Sequence, residues 1–224
     1  SSHMDDTVPS CLTYHGTAPY RPFDIVAAMT TRRVPSGAAV LRPEMTAAIT
    51  EAVLDELAEQ GFSRLSMEAV AKRAGVGKSA LYRRWASKQD MALAVIAEFS
   101  VAKATFPDTG SLRGDMRAAL DALMDWLTHP RFSRILPDLV AEMARNPELA
   151  ALVESMTGGP RREQAAAMFQ RAIERGELHP DVDMELALDL LAAPLYWRLV
   201  VRAVDVGPGY LDAVTAMMCR ALCA

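Results

Sequence analysis

Aromatic residues are scarce in this 224-residue chain, at 6 % against a hydrophobic fraction of 51 %. Strands favour aromatic and β-branched side chains, so a chain this rich in Ala, Leu and Met favours helices. Cysteines number three, Cys11, Cys219 and Cys223. An odd number so spaced gives no sign of a disulfide framework and suits a reducing compartment, so a cytoplasmic protein is expected. No apolar run approaches the roughly 20 residues of a membrane span, and no membrane partner is expected. Asp5 and Asp6 stand where a signal peptide would carry its basic region, so no leader is expected either.

Catalytic signatures are missing as well. The four histidines, His3, His15, His129 and His179, lie far apart in sequence. Gly-x-Ser-x-Gly, His-Glu-x-x-His and Cys-x-x-Cys do not occur, so no enzyme activity and no cofactor are expected. Gly77-Lys78-Ser79 ends like a phosphate-binding loop, but that motif needs a glycine five residues before Gly77, where Lys72 stands. Asp181, Asp183 and Glu185 are better explained by a turn and a helix cap than by a bound cation. Cys219 and Cys223, four apart on one helix, read as structural thiols rather than a redox pair.

What the chain does have is a basic island. Residues 64–88 hold seven basic side chains and one acid, Glu68, for a net +6. The whole chain is −4, so the remainder sums to −10. A cationic island in an acidic chain points to a nucleic-acid surface. In the same stretch, Ser66 is placed to cap a helix from about Met67 to Ala74, ended by Gly75. A second short helix is expected from Lys78 to about Trp85. Two such helices about a tight glycine turn make a helix-turn-helix, whose second helix enters the major groove.

Ala69-Val70-Ala71, Ala74-Gly75-Val76, Leu81-Tyr82, Trp85 and Ser87-Lys88 occur at fixed spacing, and the run from Arg42 to about Phe99 resembles the DNA-binding domain of TetR-family transcriptional regulators. Two departures stand out. Gly77 replaces the usual Ser or Thr that caps the recognition helix, a change worth a few tenths of a kcal/mol. Trp85 replaces a more usual Phe. Arg175-Gly176-Glu177-Leu178 to Tyr196-Trp197-Arg198 also resembles C-terminal domains of TetR-like regulators.

Along the chain, Ser1-Ser2-His3-Met4 has the look of a cloning scar, and residues 1–40 read as an irregular extension in which Arg32 and Arg33 stand out as a possible DNA arm. Residues 41–90 read as the DNA-binding domain. Its first helix, opening near Arg42-Pro43, carries the stripe Met45, Ile49, Val53 and Leu57 and ends at Gly61. Residues 91–224 read as a helical ligand-binding and dimerisation domain. There, helices are expected from Leu112 to Thr128, from Arg131 to Arg145 with Pro137 starting the helix proper, from Glu148 to Met156, from Pro160 to Arg175, from Met184 to Ala203 with a kink at Pro194, and from Tyr210 onward.

Roles follow from position and from the resemblance. Lys78 and Ser79, at the start of the recognition helix, are expected to reach base edges. By resemblance Tyr82, Arg83 and Lys88 hold phosphates, and Ser66 with the free N–H groups of its helix and Arg42 at the first helix are expected to add phosphate sites. Arg73 is expected at bases or backbone. By resemblance some large apolar residues of the C-terminal half line a ligand pocket, for which Trp126, Met143 and Phe169 are the candidates. The last two helices are expected to form a homodimer interface. The whole reads as an all-α, ligand-responsive repressor of a palindromic operator. The alternative is a helical small-molecule-binding or scaffolding protein that no longer binds DNA.

Overall fold

The computed structural model describes residues 43–102 and 106–222; Arg32, Arg33, Arg42, Cys11 and Cys223 lie outside them. Every regular element among the described residues is helical. In order these are α1 (Pro43–Gln60), α2 (Met67–Arg73), α3 (Lys78–Tyr82), α4 (Lys88–Ala102), α5 (Leu112–Leu127), α6 (Phe132–Arg145), α7 (Pro147–Val153), α8 (Gly159–Glu174), α9 (Met184–Tyr196) and α10 (Tyr210–Leu222). π-helical turns at Glu154–Gly158 and Trp197–Val201 follow α7 and α9.

Local caps set most boundaries. Side-chain oxygens of Ser66, Ser111, Asn146 and Asp183 accept amide hydrogens from the first turns of α2, α5, α7 and α9, and Ser87 does so for α4. Pro137 does not start α6 but lies inside it. The turn before it already bonds Ser133 N–H to His129 O and Ile135 N–H to Arg131 O, so helix formation precedes the proline. The stretch expected from Glu148 is a separate helix only at its N-terminus, since α7 runs through its π turn directly into α8. Helix α9 passes through Pro194 and widens into the π turn at Trp197.

Helix α1 packs on α2, α4 and α6, while α5 packs on α8, α9 and α10. The stripe read from sequence is the core side of α1: Ile49, Val53 and Leu57 are buried and Met45 is half-buried. Around α2 and α3 the core is Leu65, Met67, Val70, Ala71, Leu81 and Trp85. An aromatic group joins α4, α5 and α6: Phe99 stacks on Phe132 with ring centroids 5.7 Å apart, and Trp126 lies tilted against Phe132 at 4.1 Å.

One buried carboxylate fastens the C-terminal helices. Asp115 of α5 is 0 % exposed. It accepts the Thr109 N–H at 2.6 Å, the Thr109 hydroxyl at 2.7 Å and Arg175 Nη2 at 3.0 Å. Arg175 also binds Glu177, whose carboxylate accepts the Leu112 N–H at 2.6 Å. Burial would raise the Asp115 pKa, but the Thr109 hydrogen bonds and Arg175 outweigh it and hold the carboxyl below its usual range. Its contribution is therefore present above the unfolded-state pKa near 4 and lost as pH falls through the lower folded value. Asp115→Asn should lower unfolding free energy by about 3 kcal/mol at pH 7, and the gap to wild type should shrink at pH 3 in urea titrations.

Candidate nucleic-acid interface and ligand cavity

Helix α2 ends in a double hydrogen-bonded turn. Gly75 N–H bonds Lys72 O at 3.3 Å and Val76 N–H bonds Ala71 O at 3.0 Å, with Gly75 at φ +66°. That pattern needs a left-handed residue after the helix, which glycine supplies without Cβ strain. The turn delivers α3, whose Leu81 is fully buried and whose neighbour Tyr82 is 56 % exposed. Arg84 N–H and Trp85 N–H both bond Leu81 O at 2.9 Å, carrying the helical path on to Trp85. Leu81 and Trp85 thus anchor the element, and Lys78, Ser79, Tyr82 and Arg83 face outward.

The cations of this face differ in their commitments. Among the described residues Arg83, Arg64 and Lys72 are exposed and pair with no carboxylate. Lys78 Nζ lies 2.8 Å from Glu68 Oε2, and that hydrogen bond holds the Glu68 carboxyl below its usual range. Both side chains are largely exposed, so the pair is easily exchanged for a phosphate or a base. Lys88 Nζ donates to Ser63 O at 2.7 Å, beside the entry to α2. The Ser66 hydroxyl accepts Ala69 N–H at 3.1 Å and is already in use as a cap. Arg84 reaches Thr46 Oγ1 at 3.2 Å and stacks on Trp85.

Arg73 faces protein. Its Nε donates to Glu56 Oε1 and its Nη1 to Glu59 Oε1, each at 2.9 Å, with Asp55 at 3.7 Å. Donation to the Glu59 carboxylate is the chief cause that raises the Arg73 pKa further. Arg73 is held against α1, where it fixes the angle of α2.

Arg131, at the N-cap of α6, binds Glu51 and Asp55 of α1, each at 2.7 Å. Asp138, also on α6, accepts the Phe62 N–H at 2.6 Å and lies against Gly61, which sits at φ +80°. The turn that leads into the helix-turn-helix is therefore capped by a carboxylate from α6.

Between α4, α5, α6, α8 and α9 lies a cavity of about 340 Å³, with Leu123, Leu136, Leu139 and Val140 among its walls. Trp126 and Met143 line it. Phe169 does not; it is fully buried in the core. Arg161, unremarked in the sequence, lines it too: its guanidinium lies 4.4 Å over the Trp126 ring and donates to Ser100 O at 2.9 Å.

A family model for "Tetracyclin repressor-like, C-terminal domain" matches residues 106–218, half of the chain, and one for "Bacterial regulatory proteins, tetR family" matches residues 49–95. The chain belongs to the TetR family of transcriptional regulators. It is 31 % identical over 159 residues, 70 % of this chain and 82 % of the other, to the DNA-binding transcriptional repressor TetR of Mycobacteroides abscessus. It is 29 % identical to the HTH-type transcriptional regulator YdeS of Bacillus subtilis, covering 73 % of this chain and 82 % of that one. Among solved structures, the TetR family transcription regulator SCO0332 superposes with a TM-score of 0.65 at 31 % identity, covering 81 % of this chain and 100 % of that one. The TetR-family DNA-binding model runs from within α1 to the first half of α4, and the C-terminal model takes in the cavity lining apart from Ile96.

The differing commitments of the two arginines are testable. Arg83→Ala should leave the thermal midpoint within about a degree and weaken duplex binding uniformly across sequences, lowering the salt slope by about 1. Arg73→Ala should lower the urea midpoint where Arg83→Ala does not, since it uncovers the buried Glu56 carboxylate.

Proposed function

We propose that two copies of this chain bind a palindromic operator, repress transcription from it, and release it when a small molecule occupies the C-terminal cavity. The observation that carries the DNA-binding part is the outward face of α3, where a cation, a hydroxyl, a tyrosine and an unpaired arginine project from a helix pinned by Leu81 and Trp85. In this reading Lys78 and Ser79 meet base edges, and Tyr82, Arg83, Lys88 and the Ser66 helix start meet phosphates. Arg42, by the same reading, adds a phosphate contact ahead of α1. Arg73 serves instead as the brace of α2. The cytoplasm is the compartment such a regulator would share with its operator.

Dimerisation is supported by an outward apolar stripe. Leu186, Trp197 and Val201 of α9 and its π turn, and Met217 of α10, are each more than half exposed. Leu186, Leu190, Ala193 and Trp197 recur at helical spacing, so they share one side. A contiguous apolar patch of this kind marks an interface, and a second copy would cover it symmetrically.

Coupling between cavity and DNA is supported by the two faces of α6. Leu136, Leu139, Val140 and Met143 line the cavity, while Arg131 and Asp138 hold α1 and the turn before α2. A ligand preferring another seat of α6 would move the recognition helices of the two copies out of register with their half-sites. It acts only through its different affinity for the two arrangements.

Operator fragments selected from a random DNA pool provide the test. They should be palindromic and bind two chains each, and a cavity ligand found by thermal shift should lower operator affinity at least about fivefold. An effector that leaves operator affinity unchanged removes the induction mechanism but not DNA binding. Trp197→Glu should yield monomers in sedimentation and weaken operator binding by about 100-fold or more, because half-sites would then be bound singly.

A further inference from the structure

Arg161 is an expensive residue for an apolar cavity. It sits on the first turn of α8 and is in register with Ala165, Met168 and Ala172, all buried. Among the described residues no carboxylate pairs with it; its recorded contacts are the Ser100 carbonyl and the Trp126 ring. Burial alone pushes its pKa down to about 10, so it stays protonated at neutral pH. A half-buried charged group without a counter-ion is costly and is retained where a ligand supplies the partner. A second donor lies beside it: Trp126 is 8 % exposed, lines the same cavity, and its Nε1 has no acceptor among the described residues.

We infer that the effector of this cavity is an amphipathic monoacid, with one carboxylate held by the Arg161 guanidinium and the Trp126 Nε1–H and an apolar body against Leu123, Leu136, Leu139 and Val140. The inference rests on the cavity being the effector site. A neutral ligand would seal in the unpaired guanidinium, and a cation would be repelled by it. A dianion would bring one charge more than Arg161 can neutralise. The other lining cation, Arg162, is already committed to Glu185 and Asp189 outside the lining, and the one carboxylate among the lining residues, Glu154, is exposed. A planar guanidinium stacked on an indole is a rigid fork that suits a carboxylate held by two parallel hydrogen bonds.

The test is displacement of the neutral fluorophore N-phenylnaphthylamine from the full chain, without DNA, by decanoate, methyl decanoate and decyltrimethylammonium. Decanoate should displace it at a concentration at least about tenfold below either of the others, as a charge-assisted pair requires. In Arg161→Gln that preference should fall to within about threefold, while the methyl ester keeps its wild-type value. An ester or ammonium that competes as well as decanoate in the wild type overturns the inference, and so does a preference that survives Arg161→Gln. Fluorophore binding without acid preference sinks this inference alone; a fluorophore that never binds removes the cavity as a ligand site and takes both readings with it.

Discussion

Carboxylates crowd one side of α1. Glu51, Asp55 and Glu59 lie four residues apart along the helix, and Glu56 beside them is buried. Like charges at that spacing repel, and cations that bridge them relieve the repulsion. Two guanidinium groups do so from opposite directions: Arg73 from α2 and Arg131 from α6, with Asp55 reached by both. The helix-turn-helix and the helices around the cavity are therefore held to the same strip of charge. Because an ion pair is directional and short-ranged, a shift of α6 changes what α1 can offer α2.

The cavity stands on the other end of that linkage. Its walls on α6 alternate with the anchors on the same helix, so apolar contact inside and charge contact outside are properties of one rigid body. The π turn at Glu154–Gly158 contributes Glu154, Thr157 and Gly158 to the lining and passes directly into Arg161. π-helical turns recur at functional sites because the widened coil re-aims the side chains that follow. Here it brings a cation inward on α8 where the sequence periodicity alone would place an apolar residue.

The helix-turn-helix was legible because its signals are local. Ser66, Gly75 and Ser87 act on the backbone within three residues of themselves, and the inward positions of Leu81 and Trp85 follow from helical spacing. The role of Arg73 was not legible, because its partners lie 14 and 17 residues away on a different helix. Pro137 misled because proline punctuates only when nothing before it has already formed a turn. Phe169 misled because amphipathic phase separates core from solvent but not core from cavity. Arg161 carried a signal that was passed over: a lone cation in step with Ala165, Met168 and Ala172 on an otherwise buried stripe.

The shared carboxylate is tested most directly by a double-mutant cycle on Arg73→Ala and Arg131→Ala, read in urea unfolding and in operator affinity. The two side chains do not pair with each other, so coupling between them must pass through α1. These pairs are about one-third exposed, which discounts the effect, but the account predicts a coupling energy of at least about 0.5 kcal/mol in both readouts. Free energies that add to within about 0.3 kcal/mol would contradict it, because the two arginines would then hold α1 independently.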